Sequence, residues 1–192
     1  MELRQSSSNI SDEQILNLLQ NEKNVEQGFR LLMVTYQERL YAHIRRMVNE
    51  HEDANDVLQN TFIKVFRNIQ KFEGNSKLYT WLYRIATNET ITFLNKKKRK
   101  TTTSIDDEDL DMANRLSADT YFDGEAAQKS LQRALDVLPE KQKLVFNMRY
   151  YDEMSYQAIS DILETSVGAL KASYHHAVKK IEQFLSQEFE KL

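Results

Sequence analysis

Leu58, Phe62, Val65, Ile69 and Phe72 recur at alternating spacings of four and three residues. At about 100° per residue this places all five on one face of a helix, which is the face expected to be buried. After the break EGNSK the pattern resumes, with Leu78, Leu82, Ile85, Ala86 and Phe93 on one stripe and Trp81 at its edge. The same three-and-four stepping runs through most of the chain, which has one proline and four glycines in 192 residues. Val, Ile and Thr form no alternating runs, so the chain is expected to be all-α, without strands.

The faces opposite those stripes carry the chemistry. On the first helix, Asp53, Asp56, Asn60, Ile63 and Arg67 form a polar strip with one branched apolar residue in its middle. Such a strip is either solvated surface or a docking surface, since a charged rim around an apolar spot suits a protein partner. On the second helix, Arg84, Thr87, Asn88, Ile91, Asn95 and Lys98 face away from the stripe and lead into five consecutive basic residues, Lys96 to Lys100. Together with Tyr79, Trp81 and Tyr83, this basic end suits a nucleic-acid strand, because cations neutralise phosphates and ring faces accept unstacked bases. The alternative is that the basic run only caps the negative helix end and that Trp81 is core.

Taken in order, residues 1–9 read as a disordered tail. Ser11 is placed to cap a short helix carrying Ile15, Leu16, Leu18 and Leu19, and Asn24 to start the next. Phe29, Leu32, Met33, Tyr36, Leu40, Ile44 and Met47 then mark a long amphipathic helix to about Val48. His51 to Asn55 is expected to be the turn into the stretch described above. These segments make a four-helix bundle over residues 10–100. Residues 101–128 break the periodicity: eight acidic residues (Asp106, Asp107, Glu108, Asp109, Asp111, Asp119, Asp123 and Glu125) face only Arg115, and such a segment reads as an acidic linker. The formal charge of −3 therefore hides a basic–acidic–basic order.

A second helical unit spans 129–192. Leu131, Leu135 and Leu138 close one helix, and Pro139 suits the start of the next, where its missing N–H costs nothing. Ser155 caps Tyr156–Leu163, Glu164–Ser166 is a tight break, and Val167, Leu170, Tyr174, Val178, Ile181 and Leu185 line a last helix. Two helices joined by about three residues read as a helix-turn-helix or an ordinary helical hairpin. The outer face of the last helix shows Gly168, Ala169, Ala172, His176, Lys179 and Gln183, small enough at its start for a backbone to approach a major groove, with Lys171, Lys179 and Lys180 available for phosphates.

Other chemistries find little support. The absence of cysteine removes disulfides and thiolate metal sites. His175 and His176 point about 100° apart on a helix, and His51, Glu52, Asp53 and Asp56 lack a completing ligand, so no metal and no cofactor is expected. With no phosphate loop, nucleophile elbow or triad spacing, catalysis is not expected. The N-terminus lacks the apolar core of a signal peptide and no apolar run reaches membrane-spanning length, which predicts a cytoplasmic protein.

The order DANDVLQNTFIKVF, TWLYRIATN and a basic run resembles region 2 of the sigma-70 family of bacterial transcription initiation factors, and most closely its compact extracytoplasmic-function group. SYQAISDIL followed by SVGALKASYHHAVKKI resembles sigma region 4. The resemblance implies two small helical domains, and a function in binding core RNA polymerase, directing it to promoters and opening them. By the same resemblance Asp53, Asp56, Asn60, Ile63 and Arg67 dock on the clamp helices of the largest polymerase subunit. Glu73, Gly74, Asn75, Ser76, Lys77 and Tyr79 would hold a base flipped out of the −10 element. Trp81, Arg84, Asn88, Asn95, Lys96, Lys97, Lys98 and Arg99 would hold the separated strand. Ser166, Gly168, Ala169, Lys171, Ala172, Ser173, His176 and Lys179 would read the −35 duplex, and the same unit would meet the flap of the second-largest subunit. The family often has glycine where Glu164 stands and arginines where Ser173, His176 and Val178 stand, departures that suggest a less electrostatic grip. The resemblance also admits an anti-sigma protein as partner, with the chain a monomer when free of polymerase. A second reading is a dimeric helix-turn-helix regulator, distinguished by whether core polymerase is bound.

Overall fold

The computed structural model describes residues 11–102 and 126–189, and all regular structure among them is helical. The order is α1 (Asp12–Gln20), α2 (Val25–Arg45), α3 (His51–Asn68), a 3₁₀ turn (Ile69–Lys71), α4 (Leu78–Thr102), α5 (Ala126–Asp136), α6 (Glu140–Tyr150), α7 (Tyr156–Leu163) and α8 (Val167–Phe189). The expected tail and most of the expected acidic linker lie outside the described residues.

The helix starts follow from side-chain capping. Ser11 and Gln14 form a reciprocal capping box ahead of α1, and the Ser155 hydroxyl accepts the Ala158 N–H at 3.1 Å ahead of α7. Pro139 sits one position earlier than expected, as the N-cap of α6 rather than its first residue. The expected turn at His51–Asn55 is instead the first turn of α3, and the chain reverses at 46–50. Glu52 and Asp53 near the positive end favour helix there, while the Tyr41 hydroxyl and Asn55 amide engage the two ring nitrogens of His51 at 2.6 and 3.0 Å.

Helices α1–α4 pack around Leu32, Leu40, Ile44, Val57, Val65 and Leu82, all at most 1 % exposed. Gly28 permits the close crossing of α1 on α2, since a Cβ there would lie 2.9 Å from the Leu19 backbone nitrogen. The core does not stop at this bundle. Leu144, Met148, Met154, Ile159 and Ile162 join the same apolar cluster, with α7 lying against α4. Ala134, Leu135, Leu138, Phe146, Ala177 and Ile181 form a separate core between α5, α6 and α8.

Candidate functional site

The outer strip of α3 is presented as its periodicity requires. Asp56, Asn60, Ile63 and Arg67 are exposed, and Asp53 is half-buried. The apolar part is wider than one residue: Phe66 is 52 % exposed beside Ile63 at 42 %, and its ring meets Phe29 edge-on at 5.1 Å. Phe66 lies one helical step from Ile63, a signal present in the sequence. Its exposure depends on where α2 ends its contact, which the sequence does not show.

Asp53 is tied to the basic end of α4. Lys97 Nζ stands 2.8 Å from Asp53 Oδ2 and 2.7 Å from Glu50 Oε1. Partial burial works against the Lys97 charge, but the hydrogen bonds to Asp53 and Glu50 outweigh it and hold the ammonium above the usual lysine value. Lys64 and Glu89 form a second pair between α3 and α4. Lys96, Arg99 and Lys100 are exposed, and Lys98 pairs with Glu140 at 2.5 Å.

The turn before α4 needs one left-handed residue and has Gly74 there, at φ 74°. Asn75 donates to the Glu73 carboxylate at 2.9 Å. Asn75, Ser76, Lys77, Tyr79 and Arg84 line one side of a cleft of about 640 Å³ whose other side is α7 and the residues flanking it. Across that cleft the Arg84 guanidinium donates to the Asp161 main-chain carbonyl. Trp81 is half-buried, its ring centroid 5.2 Å from that of Phe72, while Asn88 and Asn95 are exposed.

Thr87 departs from expectation. It is not on an exposed face but 1 % exposed, with its hydroxyl 3.0 Å from His43 Nε2, because α4 is covered on more than one side. Tyr83 is likewise buried at 6 %, and burial drives its phenol well above the ordinary tyrosine value. His43 and its partner Asp152 were not singled out in the sequence. A histidine within the apolar stepping of α2 is a weak sign, and Asp152 lies in a turn more than a hundred residues away.

In the second unit Gly168, Ala169, Lys171, Ala172, His176 and Lys179 are exposed along α8, and Ser173 is half-buried. Ser166 serves as a cap, its hydroxyl accepting the Ala169 N–H at 3.3 Å. Lys171 Nζ lies 5.9 Å from the centre of the Tyr156 ring. Among the described residues no group of three His, Asp or Glu side chains is placed to hold a metal ion, and no helix is long and apolar enough to cross a membrane.

A family model described as sigma-70 region 2 matches residues 32–100, and one described as sigma-70, region 4 matches residues 128–181. The ECF RNA polymerase sigma factor SigW of Bacillus subtilis is 31% identical over 174 residues, spanning 86% of this chain and 93% of that one. The ECF RNA polymerase sigma-E factor of Escherichia coli K12 is 29% identical over 184 residues, spanning 92% and 95%. Among solved structures, the sigma factor RpoE of Bartonella quintana, in complex with the anti-sigma factor NepR, aligns with a TM-score of 0.69 at 21% identity over 82% of this chain and 96% of that one. CnrH, in complex with the cytosolic domain of CnrY, aligns with a TM-score of 0.68 at 16% identity over 92% and 97%.

Proposed function

The chain belongs to the extracytoplasmic-function group of the sigma-70 family, and from that membership we propose how its helices divide the work of starting transcription. The exposed strip of α3, from Asp53 through Ile63 to Arg67, docks on the clamp helices of the largest polymerase subunit. The turn Glu73–Lys77 with Tyr79 receives a flipped base of the −10 element. Trp81, Arg84, Asn88, Asn95 and Lys96–Arg99 follow the separated strand, and the outer face of α8 reads the −35 duplex while its unit meets the flap of the second-largest subunit.

The observation that supports this reading best is the order of the matched regions, region 2 and then region 4, over helices whose outward faces carry an acidic–apolar strip, a basic–aromatic end and a small-residue face. Promoter opening then needs no hydrolysis. Unstacking a base costs a few kcal/mol and a pocketed or stacked base returns about 1–3 kcal/mol, so binding shifts an opening equilibrium to which polymerase adds the remaining contacts. The chain itself is assigned no chemical step, and its place of action is the cytoplasm, with core polymerase. An anti-sigma protein is proposed as a further partner, on the strength of the structural neighbour captured with one.

The dimeric-regulator reading is not favoured, because it leaves the region 2 match over residues 32–100 without a role. The test is co-elution with purified core polymerase followed by run-off transcription on genomic fragments. A monomer that joins core and yields discrete run-off products is expected. A dimer that ignores core, or tight specific binding of the free chain to linear duplex at moderate salt, would overturn the reading.

A further inference from the structure

We propose that the cleft between α2, the start of α4 and the turn joining α6 to α7 binds a guanine nucleotide, with Arg39 on its phosphate and Glu153 on its base edge. The cleft holds about 580 Å³ and is lined by four tyrosines, Tyr36, Tyr79, Tyr83 and Tyr151. That size lies within the roughly 300–1,000 Å³ of sites that take small ligands. Tyr36 and Tyr83 are almost fully buried, and Tyr79 and Tyr151 half-buried.

The polar groups around it divide into those already engaged and those left over. One Asp152 oxygen lies 2.7 Å from His43 Nδ1, and the other accepts from Arg46 at 2.8 Å. The Tyr36 hydroxyl donates to Asp12, and the Ser155 hydroxyl accepts the Ala158 N–H. Arg39 and Glu153 line the same cleft, on α2 and on the turn between α6 and α7. Both are exposed, and among the described residues neither has a hydrogen-bond or ion-pair partner, not even the other. Burial raises the phenols of Tyr36 and Tyr83, and the Arg39 charge works against it at both, which places the guanidinium beside the aromatic lining. Glu153 is held with a left-handed backbone at φ 53°, a strained setting for any residue but glycine.

Two unpaired charges of opposite sign across an aromatic-lined space fit a planar ligand, anionic at one end and a hydrogen-bond donor at the other. A guanidinium fork matches phosphate. Guanine turns two adjacent donors, N1–H and the N2 amino group, toward a carboxylate, whereas adenine offers one donor beside an acceptor. The Tyr151 ring already lies under Arg46, 4.6 Å from its centre. Tyr79, which also borders the cleft against α7, is left as the platform on which the base stacks.

The experiment is calorimetric titration of the full chain, without core, with GDP, ADP, inorganic pyrophosphate and a single-stranded guanine trinucleotide. GDP is expected to bind roughly tenfold tighter than ADP, the discrimination of one bidentate edge contact. Glu153→Gln turns one acceptor into a donor facing the guanine donors, and should bring GDP down to the ADP level while leaving ADP unchanged. Arg39→Gln should weaken both nucleotides by roughly tenfold. Arg30→Gln, an exposed arginine of α2 outside the cleft, controls for the lost charge and should change neither. Circular dichroism is expected to match the wild type in all three variants, since each site faces solvent. No binding at millimolar GDP, ADP or pyrophosphate binding as tightly as GDP, or an Arg39→Gln protein no weaker than the Arg30→Gln control would each overturn the proposal. A trinucleotide that binds tighter than GDP would give the cleft to a nucleic-acid strand and overturn it too. None of these measurements involves polymerase, so the sigma assignment stands or falls separately, on run-off transcription.

Discussion

Lys97 on α4 and Asp53 on α3 are joined by a 2.8 Å ion pair, so a residue assigned to DNA and one assigned to polymerase neutralise each other in part. Glu50 completes the arrangement from the turn before α3. The pairing fixes the start of α3 against the basic end of α4, and joins the proposed docking strip to the proposed strand-holding end through one side chain.

Replacing Lys97 by glutamate puts a third carboxylate beside Asp53 and Glu50. Lys97 and Glu50 are about half-exposed and screened, and Asp53 less so, so the expected loss is about 1 kcal/mol at low salt, shrinking as salt is raised. In the polymerase complex the same change is expected to slow open-complex formation and to flatten its salt dependence by at most about one phosphate contact. Thermal unfolding at two ionic strengths and open-complex kinetics measure the two effects. An unfolding curve indifferent to salt in both proteins would remove the ion pair as a structural contributor.

Asp56→Arg and Ile63→Glu change side chains that face solvent. Substitutions at such positions shift stability by about 0.5 kcal/mol or less, yet each changes the charge of the proposed interface, an apolar spot with a charged rim. Both variants are expected to keep wild-type helicity and melting behaviour while failing to co-elute with core polymerase. Co-elution at the wild-type level would show that α3 docks elsewhere.

Glu164 holds the break between α7 and α8 in the left-handed region, at φ 51° and ψ 40°. A non-glycine residue pays about 1–2 kcal/mol there, against the smaller entropy that glycine adds to the unfolded chain. Glu164→Gly is therefore expected to raise stability by about 0.5–1 kcal/mol, read from the urea midpoint, and Glu164→Ala to give no such gain. Equal midpoints for the two variants would show that the turn is not strained.

The alkaline limb of stability follows from the tyrosines. Burial first, then the hydrogen bond to Asp12 and the Asp12 charge, raises the Tyr36 phenol. Burial and the Asp152 charge raise Tyr83, and burial raises Tyr151. In the unfolded chain these groups ionise near the ordinary value of 10.0. Below that pH both states are protonated and the stabilisation is complete. Above it the unfolded state loses protons first, and stability falls as pH rises toward the folded values. Tyr83→Phe is expected to make that fall shallower in urea titrations above pH 10, while leaving the curve at neutral pH parallel to the wild type. An unchanged slope would mean that the Tyr83 phenol titrates normally.

What the sequence discloses depends on whether the deciding contact is local. Helical period, the Ser11 and Ser155 caps and the turn at Gly74 are settled by neighbours within a few residues, and the structure has them where expected. The start of α3 lies earlier than the period predicts because His51 is held from α2 by Tyr41. Helical period places Thr87 on the open side of α4, because it distinguishes one buried stripe from the rest. It does not disclose that a second unit covers another face, where His43 and Asp152 meet across 109 positions. Most of the strips on α3 and α8 follows the helical period because it lies exposed, as at Asp56, Asn60, Ile63, Arg67, Ala169, Ala172 and His176, whereas Asp53 and Ser173 are half-buried.

Gly168 offers the sharpest test of the duplex-reading face. It lies in the first turn of α8, is exposed, and a Cβ added there meets nothing within 4 Å. The fold therefore gains nothing from its smallness, and a helical glycine costs about 0.5–1 kcal/mol relative to alanine. Gly168→Leu is accordingly expected to leave stability unchanged or slightly raised. If the backbone of α8 approaches a major groove at this point, the added bulk pushes it away, and the assembled polymerase should bind a −35 duplex roughly tenfold more weakly, since a well-placed groove contact is worth about 1–3 kcal/mol. Strand binding at the −10 element should be untouched, because Gly168 lies outside the cleft against α4. Undiminished −35 binding by a stable Gly168→Leu protein would move the reading surface to another face of the helix.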